Sequence, residues 1–260
     1  MEQYETIVYE KRDRVATITL NRPEKKNALN PLMGGELFLV CDEVANDENI
    51  GAIILTGAGD TFCAGGDVKE DIAPLSGMES DQFDQYLGAA SVLFSKFINI
   101  EKPTIAAING RALGVGLDLA MGCDIRIASE SAMFGEFFVK MGLIPDIGTF
   151  LMPRLIGLGR AKLLCFTGDL IDAKEAERIG LVEKVVPPDI LMQEANELAR
   201  RLAYGPTKVI GLIKKSINDS LGMGLEDSLE ESSKLQYQAS RTKDHKETVK
   251  SFLKEKKHKF

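Results

Sequence analysis

Apolar and polar positions alternate or cluster along this chain in two different periods. Residues 15–20, Val15-Ala16-Thr17-Ile18-Thr19-Leu20, are rich in β-branched side chains and predict a strand. Short apolar runs at 52–56, 104–108 and 124–128 predict further strands. Between them, Asn30-Pro31 predicts a helix start, an N-cap residue followed by proline at the first helical position. That helix runs through Leu37 and Val40 toward Val44. Strands separated by helices predict β-α-β units and a covered sheet, hence an α/β core. After about residue 190 the period becomes helical: Ile190, Leu191, Ala195, Leu198 and Leu202, then Leu212, Ile213 and Ile217. Residues 226–260 are strongly charged with few strand signals. The expected organisation is a core over 1–195 and a helical region over 196–260 that packs on the core or on another subunit.

A chain of 260 residues can bury one large core. The net charge of -7 argues against a general nucleic-acid binder. No apolar run reaches the roughly 18 residues of a membrane span, and Met1-Glu2-Gln3-Tyr4-Glu5 lacks the basic and apolar regions of a signal peptide. A cytoplasmic protein is expected. Cys41, Cys63, Cys123 and Cys165 form no Cys-x-x-Cys pair, which disfavours disulfides and structural zinc. The two histidines, His245 and His258, lie in the charged C-terminal stretch, so Cys63 has no evident base and reads best as a buried small hydrophobe.

Two glycine turns add candidate chemistry: Cys63-Ala64-Gly65-Gly66-Asp67 and Gly114-Val115-Gly116-Leu117-Asp118. Each follows a predicted strand, at 52–56 and 104–108, and opens a segment that can be helical. Glycine permits a tight turn and close approach to bare N–H groups. Two such turns on neighbouring strands can aim two donors at one oxygen, the geometry of an oxyanion hole beside a carbonyl. Phosphate-loop readings fail: Leu119 stands where a dinucleotide fingerprint needs a third glycine or alanine, and no Gly-Lys-Ser/Thr follows either turn.

Taken with their neighbours, these turns resemble the enoyl-CoA hydratase/isomerase family, the crotonase superfamily. The resemblance runs through Asn21-Arg22-Pro23-Glu24-Lys25-Lys26-Asn27-Ala28-Leu29, Phe62-Cys63-Ala64-Gly65-Gly66-Asp67, Lys102-Pro103-Thr104 and Ala112 to Ala120. It continues through Cys123 to Ala128, Phe134-Gly135, Gly142-Leu143-Ile144-Pro145-Asp146, Thr167-Gly168 and Ala176 to Val182, in order over nearly the whole chain. It implies a crotonase-like repeated ββα core with a C-terminal helical region, assembled as a homotrimer or a dimer of trimers. It also implies an acyl-CoA thioester substrate, no metal and no cofactor beyond the coenzyme A that the substrate carries. The oxyanion donors would be the N–H groups of Gly66 and Val115, the latter opening a helix whose N-terminus adds partial positive charge. Lys26, Ala28, Ala64, Gly66, Asp67, Val68, Gly114 and the tail residue Lys257 would contact the substrate and its CoA; Lys25 and Lys26 read equally well as surface lysines.

The departures from the family pattern bear on the reaction. Hydratases of the family present two glutamates to one water; here those positions hold Asp118 and Phe138. Glu136 lies two residues earlier and, on a helix, points about 200° away from Phe138. Asp146 falls where dienoyl-CoA isomerases and ring-epoxide phenylacetyl-CoA isomerases carry a working aspartate. It also reads as an N-cap for a helix starting near Phe150. Asp118 and Asp146 are therefore the expected catalytic pair, with Asp118 assisting or merely bonding within its helix. Burial against Phe137, Phe138 and Met141 would raise Asp146 toward neutrality for proton transfer. Isomerisation of an unsaturated or ring-derived acyl-CoA is the first expectation and hydration of an enoyl- or dienoyl-CoA the second. A binding or scaffold protein without turnover is the third. The stretch 70–94, with Ser76, Gly77 and Ser80, is expected to hold a mobile, specificity-setting loop.

Overall fold

The structure, a computed structural model, describes residues 4–257, with side chains as far as Lys254. In chain order the strands are β1 (Ile7–Arg12), β2 (Val15–Leu20), β3 (Ala52–Gly57), β4 (Thr61–Cys63), β5 (Thr104–Ile108), β6 (Arg111–Leu113), β7 (Ile125–Ser129), β8 (Met133–Gly135), β9 (Ile171–Asp172) and β10 (Lys184–Val186). The helices are α1 (Pro31–Asn46), α2 (Ser80–Ile98), α3 (Val115–Gly122), α4 (Gly148–Ile156), α5 (Leu158–Thr167), α6 (Ala173–Ile179), α7 (Leu191–Ala203), α8 (Thr207–Ser220), α9 (Leu225–Arg241) and α10 (Lys243–Lys257). Among the described residues, no helix is long and apolar enough to cross a membrane.

One pattern recurs three times: β3-β4-α2, β5-β6-α3 and β7-β8-α4. The first strand of each unit joins a six-stranded sheet, order β1-β2-β3-β5-β7-β10, and the second joins a four-stranded sheet, order β4-β6-β8-β9. This is the repeated ββα core. The large sheet is parallel from β2 onward, with β1 antiparallel at its edge. Its central strands are buried on both faces, which is why 52–56 and 104–108 read as unbroken apolar runs. Ile53 and Leu55 point into the main core, whereas Ala52 and Ile54 point to the opposite face. That face is covered by α7, which presents Leu191, Ala195, Ala199 and Ala203 at every fourth position. The expected division at 195/196 falls inside α7.

Side chains explain the local boundaries. Asn30 caps α1 by accepting from the Met33 N–H at 2.9 Å, and Pro31 follows as the first helical residue. Strand β7 starts one residue later than the sequence predicts. The glycine turns do not follow β3 and β5 directly. Three-residue strands, β4 and β6, intervene, too short to show a period. Nor is 70–94 a loop: a wide π turn over Val68–Ile72, a 3-10 turn over Ala73–Gly77 and helix α2 occupy it.

Candidate active site

Strands β4, β6 and β8 lie parallel and adjacent, so their C-terminal ends open together. Gly66 comes from the first end, Gly114 and Val115 from the second, and Glu136 to Phe138 from the third. Two close approaches hold this arrangement. A Cβ on Gly116 would lie 2.4 Å from the Cys63 carbonyl oxygen, so only glycine lets α3 sit on the end of β4. Gly114 adopts φ +49° and donates its N–H to the Gly135 carbonyl at 2.9 Å, tying β6 to β8. Gly116→Ala is therefore expected to lower the melting temperature by about 5 °C or more, the effect of overpacking against backbone that cannot recede; a differential-scanning melt checks it.

The segment Asn21 to Leu29 braces the first turn. Leu29 N–H donates to Gly65 O at 2.8 Å, Asp67 N–H to Leu29 O at 2.7 Å, and Ala64 N–H to Lys26 O at 3.0 Å. Buried Asn27 donates to the carbonyls of Ala58 and Thr61 and accepts from the Arg22 N–H. Arg22 in turn binds the Ala28 carbonyl at 2.7 Å and the Asp67 carboxylate at 3.1 Å. The Asp67 carboxylate also takes the N–H groups of Lys69 and Glu70, which starts the π turn. These hydrogen bonds hold its carboxyl below the usual range against its own desolvation. Arg22 and Asn27, quoted above only within the family motif, are thus the clamp of the turn; in a stretch as polar as Asn21 to Asn27 no pattern of the sequence singles them out.

A cavity of about 810 Å³ lies under these strand ends. Ala64, Gly66, Val68, Gly114, Val115 and Asp146 line it, with Phe137, Phe138 and Met141. Among the described residues, the N–H groups of Gly66 and Val115 find no acceptor in the chain, so both are free for a ligand. Phe138 stands over Gly114, its ring 3.6 Å from where a Cβ would be. Lys26, Ala28, Asp67 and Asp118 do not line the cavity. Lys26 instead pairs with Asp60 at 3.1 Å on the surface. The side chain of Lys257 lies outside the described residues. Cys63 is fully buried, and desolvation pushes its thiol up to about 11, which leaves it unreactive.

Three carboxyl groups distinguish the site. Asp146 lies on the cavity wall ahead of α4; Ile147, with no capping side chain, occupies the N-cap, so Asp146 is not a helix cap. Solvent reaches it through the cavity mouth, but the apolar walls raise its carboxyl above the ordinary value, helped by the charge of Asp71. Glu136 does not sit on a helix: with φ −85° and ψ 81° it precedes the 3-10 turn Phe137–Met141, so the 200° projection fails. It turns inward and is fully buried, as is Asp118 on α3. Both carboxyl groups crowd Gly148, where a Cβ would lie 2.5 Å from Asp118 Oδ1 and 2.8 Å from Glu136 Oε1. Neither carboxyl has a well-formed hydrogen bond among the described residues, and burying the two acids side by side favours their protonated forms. Desolvation raises Asp118 well above its usual value, reinforced by the Glu136 and Asp146 charges. Desolvation likewise pushes Glu136 up to about 8. The structure thus brings Asp146 to the cavity and joins Asp118 to Glu136 beneath it.

Comparison with known proteins agrees with this architecture. The sequence matches the enoyl-CoA hydratase/isomerase family profile over residues 10–260. It is 40% identical to the short-chain-enoyl-CoA hydratase of Clostridium acetobutylicum over 253 residues, covering 96% of this chain and 95% of that protein. It is 39% identical to the 1,2-epoxyphenylacetyl-CoA isomerase of Escherichia coli over 246 residues, 92% of each. The crystal structure of the enoyl-CoA hydratase from Bacillus anthracis superimposes with a TM-score of 0.89 at 35% identity, over 96% of this chain and 97% of that one. The fold is the crotonase fold, and the chain belongs to the enoyl-CoA hydratase/isomerase family.

Proposed function

We propose that this protein isomerises the double bond of an unsaturated or ring-derived acyl-CoA, using Asp146 to move the proton. One observation carries this reading: the cavity wall beside the free Gly66 and Val115 N–H groups holds a carboxyl at Asp146 and an aromatic ring at Phe138. A thioester oxygen bound to the two N–H groups makes the neighbouring C–H bonds more acidic. Ionised Asp146 takes the proton, and the electron pair moves onto the oxygen as an enolate. Each backbone donor to such an oxygen is worth on the order of 3 kcal/mol of barrier. The enolate is then protonated elsewhere along the conjugated system. No metal or further cofactor enters the scheme. Exposed Ile213, Ile217, Leu225, Leu229 and Tyr237 on α8 and α9 support assembly into trimers.

The hydratase names of several relatives support water addition as a second reading, with Asp146 holding the water. Incubating 2-enoyl- and 3-enoyl-CoA with the protein in deuterated, oxygen-18-labelled water separates the two. Isomerisation gives a moved double bond without heavy oxygen in the mass spectrum. Oxygen-18 in a 3-hydroxyacyl product would overturn it in favour of hydration. Binding without any exchange or conversion of enoyl or ring-derived substrates would identify a carrier.

A further inference from the structure

The cavity has a second acidic wall. Asp71, in the π turn over Val68–Ile72, and Tyr86, one face of α2, both line the cavity that Asp146 lines. The Tyr86 hydroxyl donates to Asp71 Oδ1. Asp71 Oδ2 has no donor among the described residues and lies 2.6 Å from where a Cβ of Gly66 would be. The free oxygen of this carboxyl is therefore beside the first oxyanion donor, on the same cavity as Asp146, whereas Asp118 and Glu136 are sealed beneath. The wide turn creates this placement: Ile72 and Asp71 N–H groups both return to the Asp67 carbonyl, at 3.0 and 2.8 Å, and the extra residue swings Asp71 inward.

We propose that Asp71 is a second catalytic carboxyl, the acid that protonates the enolate which Asp146 creates, and that Tyr86 is its positioning residue. This rests on the isomerase reading above. For a 3-enoyl-CoA the C2–H bond breaks and its proton passes to the Asp146 carboxylate. The electron pair spreads over the dienolate to the thioester oxygen. C4 then takes the proton of the Asp71 carboxyl: the O–H bond breaks, the C4–H bond forms, and the double bond lies at C2–C3. Asp146 returns its proton and Asp71 regains one through solvent at the cavity mouth, so the cycle closes without any co-reactant. Burial keeps a proton on Asp71 above the ordinary aspartate range; the Tyr86 hydrogen bond opposes this, and the neighbouring Asp67 charge adds to it. The titratable groups facing it are the neutral Tyr86 hydroxyl and the Asp67 and Asp146 carboxyls.

The test separates enolate formation from its protonation. Deuterium exchange at C2 of butyryl-CoA, read by mass spectrometry, reports Asp146 alone, while conversion of 3-hexenoyl-CoA reports both groups. Asp71→Asn should keep C2 exchange within about threefold yet lose isomerisation by roughly a hundredfold, the usual worth of a general acid. In D2O the unmodified protein should place one deuterium at C4 of the product. Tyr86→Phe removes the hydrogen bond that stabilises the Asp71 carboxylate, so the protonated acid persists to higher pH and the alkaline limb of the isomerisation profile moves up. A structural role alone would leave that limb in place. Equal loss of exchange and isomerisation in Asp71→Asn, unchanged isomerisation, or an unmoved limb in Tyr86→Phe would each overturn the assignment. Absence of both C2 exchange and isomerisation in the unmodified protein would instead remove the isomerase reading itself.

Discussion

Asp146→Asn is expected to reduce kcat/KM for isomerisation of a 3-enoyl-CoA by about three orders of magnitude, with little change in KM. The amide has the shape of the carboxylate and cannot accept a proton at neutral pH. The fold should suffer little, because no donor among the described residues is shown on this carboxylate; Thr149 Oγ1 donates to the Asp146 carbonyl at 3.2 Å, a backbone contact that the substitution leaves in place. Binding should survive, because the proposed scheme assigns it to the Gly66 and Val115 N–H groups and to the apolar walls. The pH profile gives an independent reading. In the proposed scheme Asp146 works as a base in its ionised form, so the rate should rise with pH through its pKa. Desolvation lifts that pKa, and the Asp71 charge adds to this only where Asp71 has itself ionised, which places the acid limb above the range of an exposed aspartate. Stopped-assay kinetics with the variant and a pH series with the unmodified protein check both points. A variant retaining a tenth of the activity would exclude Asp146 as the base.

The fold was legible wherever one physical signal dominated a whole element. Strands β2, β3 and β5 are long enough, and buried enough, for β-branched runs to stand out. The small faces of α7 and the Asn30-Pro31 start of α1 follow from period and capping chemistry alone. The short strands β4, β6 and β8 were not legible, because three residues carry no period, yet their ends define the site. The glycine turns nevertheless revealed where backbone must approach backbone. Helical projection misplaces Glu136 because its ψ of 81° lies outside the helix. A pair of buried acids separated by eighteen positions in sequence cannot be anticipated from spacing, since parallel pairing of β6 with β8 is what joins them. Asp71 was equally hidden. It lies in a charged stretch, Lys69-Glu70-Asp71, that reads as solvated surface until a π turn directs one of its carboxyls inward.

The buried pair should also make stability depend on pH in an unusual direction. Glu136 ionises near 4.5 in an unfolded chain and near 8 in the fold, chiefly because burial disfavours its charge. Between those values the folded protein holds a proton that the unfolded chain has released. Raising the pH therefore favours unfolding: the contribution is fully present below the unfolded pKa and is lost as pH climbs through the folded one. Each unit of displacement is worth about 1.4 kcal/mol, so the difference across this window amounts to a few kcal/mol. Glu136→Gln keeps the volume, removes the titration and supplies an amide N–H for Asp118. Its melting temperature should fall less steeply from pH 5.5 to 8.5 than that of the unmodified protein, with only the desolvation of Asp118 still opposing charge at the pair. At pH 8.5 the variant should be the more stable of the two, by roughly 5 °C or more. Most surface glutamates would show the opposite or no trend, so the sign discriminates. Parallel melting curves for the two proteins would mean that no proton is shared between Asp118 and Glu136, and that the space beside Gly148 is relieved in some other way.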